Sequence, residues 1–299
     1  MTDQLPFDTV PFDMFGMPIP NCCIWCHNES PEATFDVSHV LPECVGNENQ
    51  QTLPHGIVCK KCNNYFGTKI EPALLEDPLF HIIAVALRLK DPQDMNEFRD
   101  QIFDSKHPPV GSVERNLHCD IEISPKNMKL NVRYCIKGGI VKTYQKRELA
   151  LLSRALHKIA FENLAWAMIN KRIQENIDIL DPRFEPVRKW SRYGEPTNHI
   201  RPVVRMLTTD VKPQWEFRLW KFGGDIGAEL NLFGDWYAVS LTSSHAKAQD
   251  DLKQWVGSSR SNYHIWCIGE DLSLIKPSRN KCIKIARETW RKLTKAWDV

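Results

Sequence analysis

The chain has 299 residues, 42% of them apolar and 25% charged, with 39 Lys/Arg against 37 Asp/Glu and a formal charge of +2. That balance is expected of a soluble globular protein of one large or two ordinary domains. No apolar run approaches the ~20 residues of a membrane span, and the start, Met1-Thr2-Asp3-Gln4, lacks the positive charge and apolar stretch of a secretory signal. A cytoplasmic protein with no membrane partner is therefore expected. No repeat or low-complexity tract points to a solenoid or to disorder.

The chain holds ten cysteines, six of them at positions 22, 23, 26, 44, 59 and 62. Without a secretory signal they are not read as a disulfide framework. Four form two Cys-x-x-Cys knuckles, Cys23-Ile-Trp-Cys26 and Cys59-Lys-Lys-Cys62. Two such pairs supply a tetrahedral four-thiolate shell for a structural Zn²⁺, and no βαβ pattern follows either to favour a redox pair. Cys22, Cys44 and His27 remain as substitutes or bystanders, and Cys119, Cys135, Cys267 and Cys282 read as small core residues. Between the knuckles, residues 34–43 alternate as a strand ending at Pro42, residues 46–49 read as a turn, and residues 51–58 as a returning strand. Residues 60–66 then have helical character and are expected to stop at Gly67.

Ser38-His39-Val40-Leu41-Pro42, followed by Gly46-Asn47, Cys59-Lys-Lys-Cys62-Asn63-Asn64 and Gly67, resembles the HNH endonucleases, in particular their zinc-knuckle branch. The resemblance covers about residues 20–72. It implies a ββα unit that holds one divalent cation, Mg²⁺ or Mn²⁺, beside the scissile phosphate. By the same resemblance His39 is the general base, Asn63 the catalytic residue and cation ligand on the helix, and Asn49 (or Asn47) the central Asn that orients the His through its backbone. One position departs from the family pattern. The residue before the base, usually Asp or Glu, is Ser38, a poor ligand for a hard cation. Asp36, on the same face of the strand, is the tentative replacement alongside Ser38 and Asn63, with Glu43 and Glu71 as further candidates. His55, Lys60 and Lys61 are candidate substrate contacts.

Residues 1–72 hold three Lys/Arg against nine Asp/Glu, so attraction to a phosphate backbone must come from residues 73–299, with 36 against 28. There, residues 78–89 read as a helix capped by Asp77, residues 95–103 as a second, and residues 105–113 as a loop at which the domain may divide. Residues 119–144 alternate as a hairpin with a third strand. Residues 148–173 make the longest helix, with Leu149, Leu152, Leu156, Ile159, Ala160 and Leu164 on a core stripe. Residues 203–243 hold three or four strands, with Gly223-Gly224 read as a hairpin turn and not as a phosphate loop. A helix over 244–256 is capped by Ser243 or Ser244, and a last strand spans 263–268. The tryptophans, mostly beyond residue 160, are expected in the core. Residues 276–295, with eight Lys/Arg and one Glu, read equally as a nucleic-acid contact or as an amphipathic helix.

Strands in hairpins, with helices outside any alternating βαβ order, indicate an α+β chain. A nuclease module over residues 1–72 is expected to be followed by an α+β domain over 73–299 that selects substrate, senses a trigger or dimerises, with a homodimer or partner protein as its contact. The leading expectation is a DNA-cutting HNH endonuclease in restriction or anti-phage defence. A lapsed zinc-stabilised module that binds nucleic acid or protein, and an RNA-cutting effector, stay open.

Overall fold

A computed structural model describes residues 13–14, 17–18, 22–29, 34–42, 51–75, 77, 80, 117–124, 129–136, 142–143, 146–170, 172, 177–197, 199–207, 215–232, 235–259 and 264–268. The expected turn at 46–49, with Asn47 and Asn49, lies outside them. So do Glu43, Cys44, the helix at 78–89 apart from Phe80, the helix at 95–103, the loop at 105–113, the basic run at 276–295 and Cys282.

The first described residues form a two-residue ladder, β1 (Asp13–Met14) against β2 (Met17–Pro18). Strands β3 (Phe35–His39) and β4 (Thr52–Cys59) then pair antiparallel, and α1 (Lys60–Tyr65) follows without a linker. The helical path does not stop at Gly67. A π-helical turn (Phe66–Ile70) carries it into α2 (Pro72–Leu75), with Glu71 N donating to Phe66 O at 2.9 Å. Packing explains the continuation. Phe66, Ile70 and Leu74 recur every four residues and are all buried, which outweighs the ~1 kcal/mol that a helical glycine costs relative to alanine. Asp77 accepts the backbone N–H of Phe80 at 2.8 Å, the bond expected of a helix cap.

Strands β5 (Leu117–Ser124), β6 (Lys129–Ile136) and β7 (Lys142–Thr143) form a three-stranded antiparallel sheet, in line with the alternation of 119–144. The long helix α3 (Lys146–Ile169) follows, and the whole expected stripe is buried. So are Ser153, His157, Lys158, Glu162 and Asn163, and a helix covered on all sides lies inside a core rather than on one. It packs on α2 and β4 on one side and on strands of a larger sheet on the other.

Residues 182–193, for which the sequence suggested nothing, form a 3₁₀ turn (Pro182–Phe184), α4 (Glu185–Arg188) and a π turn (Lys189–Tyr193). Asp181 caps this run by accepting Arg183 N at 2.7 Å, and Pro182 and Pro186 occupy first-turn positions where a missing N–H costs nothing. Strands β8 (Val203–Leu207), β9 (Trp215–Phe222), β10 (Asp225–Leu232), β11 (Asp235–Ser240) and β12 (His264–Ile268) make an antiparallel sheet in the order β12-β8-β11-β10-β9. Helix α5 (His245–Ser259) precedes β12, and Ser244 Oγ accepts Lys247 N at 3.4 Å at its start. The turn between β9 and β10 is Gly223-Gly224, as expected.

The architecture is α+β. The apolar core runs without a break from Cys23, Trp25 and Phe66, through Leu156 and Phe161 of α3, to Ile226 and Val239 of the large sheet. It crosses residue 72 without a gap. Of the described tryptophans, Trp25, Trp190 and Trp255 are buried, and Trp166, Trp215, Trp220 and Trp236 are half-buried. Among the described residues no helix is long and apolar enough to cross a membrane.

Candidate metal centre and active site

The two knuckles converge. Cys23 and Cys26 flank a tight turn, Cys59 ends β4, and Cys62 sits in the first turn of α1. Their four Sγ atoms all lie within 4.8 Å of one another. Zn–S bonds of about 2.3 Å at tetrahedral angles put sulfurs about 3.8 Å apart, and Cys26 Sγ and Cys59 Sγ are 3.7 Å apart. The donor set therefore fits a divalent, thiophilic metal ion. Cys59 N donates to Cys23 Sγ, and Arg192 Nε donates to Cys62 Sγ, each at 3.3 Å. Hydrogen bonds from the Cys23 and Cys62 thiols hold Cys26 down to about 2, and the same bonds hold Cys23 far above the usual thiol range. One thiolate sharing its neighbours' protons is an arrangement that a bound cation replaces. Cys22 and His27 stand outside the cluster of four. Burial, then Glu29, pushes the Cys22 thiol up to about 11, and His27 is exposed beside Glu185, 3.7 Å away.

Beside this centre, β3 and α1 bring three of the expected site residues together. Asn63 Nδ2 donates to Asp36 Oδ2 at 3.3 Å and to Val37 O at 3.2 Å, and Asn63 Oδ1 accepts from Ser38 Oγ at 3.2 Å. His39, half-buried, is the last residue of β3 and pairs with Thr52. The pairing jumps between Asp36, opposite Val58, and Ser38, opposite Leu53. Residues 54–57 of β4 are thus bulged out, with Gly56 at φ 97°, a conformation that a glycine adopts without strain. His55 is exposed on this bulge, and Lys60 and Lys61 are exposed at the start of α1.

Ser38 is fully buried, and its hydroxyl is shared between Asn63 and Glu162 Oε2, the latter at 3.1 Å. Glu162 comes from α3, as does Lys158. Trp25 Nε1 donates to Glu162 Oε1 at 2.9 Å, so one carboxylate ties the first knuckle to β3. Lys158 Nζ lies 2.9 Å from Glu162 Oε2, 2.7 Å from Glu71 Oε1 and 2.8 Å from His39 O. Burial pulls the Lys158 pKa down, but Glu162 and Glu71 outweigh it and hold the ammonium above its ordinary range. Burial raises the Glu162 carboxyl against the pull of Lys158. The sequence reading missed Lys158 and Glu162. Their one local signal is a charged pair at i, i+4 in a helix that also carries the apolar core stripe.

Residues 23–79 match the family model for HNH endonuclease. This segment is an HNH endonuclease module of the paired-knuckle type. No curated protein and no solved structure matches the chain. The HNH match points to a metal-dependent nuclease that contacts nucleic acid. It ends before α3, so Lys158 and Glu162 reach the module from outside it.

Proposed function

We propose that the chain is a metal-dependent endonuclease that hydrolyses phosphodiester bonds in DNA, with His39 as general base and a structural Zn²⁺ on Cys23, Cys26, Cys59 and Cys62. The observation that supports this most directly is the bonding of Asn63 to Asp36, Val37 and Ser38 on the strand that ends at His39, inside the HNH segment. A neutral imidazole takes a proton from an attacking water near pH 7. Asp36 and Asn63 supply oxygens suited to Mg²⁺ or Mn²⁺, and water and substrate phosphate complete the shell. When bound, such a cation stabilises charge on the phosphate and on the leaving oxygen. Ser38, turned inward and buried, holds Asn63 in place and is not assigned to the cation. His55, Lys60 and Lys61, all exposed, are assigned to the phosphate backbone, and the basic excess beyond residue 72 supplies the longer-range attraction. A small nuclease module built into a larger α+β chain suits restriction or anti-phage defence in the cytoplasm.

The test is incubation of the purified protein with supercoiled plasmid, single-stranded DNA and RNA, each in EDTA, Mg²⁺ or Mn²⁺. Plasmid cutting in Mg²⁺ or Mn²⁺ and none in EDTA is expected. Cutting confined to RNA would replace the substrate and keep the chemistry. Silence on all three substrates, with zinc bound and the fold intact, would overturn the enzymatic reading in favour of a binding module.

A further inference from the structure

A general base must be held within about 0.5 Å of its working position, and His39 stands where the chain leaves β3. Its carbonyl oxygen accepts a hydrogen bond from Lys158 Nζ at 2.8 Å, across 119 residues of sequence. An ammonium has three protons, and here each has an acceptor: His39 O, Glu71 Oε1 and Glu162 Oε2. Lysine is almost never fully buried unless paired, and a buried ion pair is a weak source of stability, so a charged group kept at this position calls for a role beyond stability. The same helix face fixes the neighbouring residue too, because Glu162 accepts from Ser38 Oγ and from Trp25 Nε1.

We infer that Lys158 is a positioning residue of the nuclease site. It locks the peptide after His39, and with it the direction in which the imidazole leaves the backbone, while Glu162 sets Ser38 and through it Asn63. The active centre is then completed by α3, outside the HNH segment. This inference rests on the reading of His39 as the base, so position and turnover are measured separately.

The variant is Lys158→Met combined with Glu162→Gln. It removes both charges together, and the amide introduced in place of the Glu162 carboxylate still offers Trp25 and Ser38 a partner. Folding is confirmed by zinc content and by the thermal transition. The imidazole Cε1–H resonance of His39 is assigned by its absence from the spectrum of His39→Ala. In the folded double variant that resonance is expected to move while that of exposed His55 stays. The kcat for plasmid cutting is expected to fall about 10- to 100-fold with KM unchanged, the range a displacement of about 1 Å produces. A folded variant with resonance and kcat both unchanged would overturn the inference. A moved resonance in a protein that cuts nothing even as wild type would uphold the positioning role and sink the endonuclease reading instead. Should the double variant not fold, the wild-type protein decides. A slowly exchanging Lys158 ¹⁵Nζ signal coupled to the His39 ¹³C′ nucleus is expected, and its absence would contradict the bond.

Discussion

Cys59 serves two elements at once, because it ends β4 and stands directly before α1, whose first turn carries Cys62. Replacing either by serine removes a thiolate from a four-sulfur set, and small metal modules fold around their ion. Cys59→Ser and Cys62→Ser are expected to lose the bound zinc and to lower the thermal transition sharply. Metal analysis that finds one zinc per chain in both variants would contradict this. Trp25 joins the first knuckle to the buried carboxylate of α3. Its indole N–H is the donor to buried Glu162 Oε1, and its ring lies 4.6 Å from Phe66 and 5.0 Å from Phe161. Trp25→Phe keeps an aromatic ring but strands a buried carboxylate oxygen, which costs about 1–3 kcal/mol in urea unfolding. The cysteines were legible in the sequence because each pair has the spacing of a metal knuckle, and Asn63 was singled out only by the resemblance to the HNH pattern. Lys158 and Glu162 were not, since an i, i+4 Lys/Glu pair on a helix is ordinarily a solvated one, and only tertiary packing turns it inward.

Helix α3 carries the consequences of that packing for pH. The Lys158 pKa in the folded state is held above its ordinary value of 10.5 by Glu162 and Glu71. A raised pKa contributes stability that is complete below the unfolded value and is lost as pH rises through the folded one. The gap in urea midpoint between the wild type and the Lys158→Met/Glu162→Gln variant should therefore be widest below about pH 10 and narrow above it. A gap that stays constant into the alkaline range would rule out the charged pairing. In the large sheet, the side chain of Trp220 lies against Gly227 across the β9–β10 pair, so that a Cβ at Gly227 would collide with the indole. Gly227→Ala is expected to destabilise by about 1–3 kcal/mol in the same urea experiment. The ββα order and the hairpins of the large sheet could be read from alternation and from turn residues. The β4 bulge was signalled only by Pro54 and Gly56 inside an otherwise regular strand, and the passage of the helix through Gly67 depended on burial of Phe66 and Ile70, which no local pattern fixes.

For the whole molecule, the continuous core means that the nuclease segment borrows its interior. Val40, Leu41, Phe66, Ile70 and Leu74 belong to one buried cluster with Leu152, Leu156 and Phe161 of α3. Arg188 Nε donates to Ile24 O at 2.7 Å, so the first knuckle is also tied to α4. The extent of the resemblance put the end of the module near residue 72, and the buried cluster continues on both sides of that position. A fragment of residues 1–80 should consequently expose apolar surface, bind a hydrophobic dye and lack a cooperative thermal transition. A fragment that melts cooperatively and binds zinc with no dye uptake would argue that the segment stands alone. The central claim is His39-dependent, cation-dependent phosphodiester hydrolysis, and the measurement that tests it most directly is plasmid cutting by the wild type and by His39→Ala, both zinc-loaded and folded, in Mg²⁺ and in Mn²⁺. Cutting by the wild type that disappears in His39→Ala is the predicted result; equal cutting by the two proteins would contradict the account.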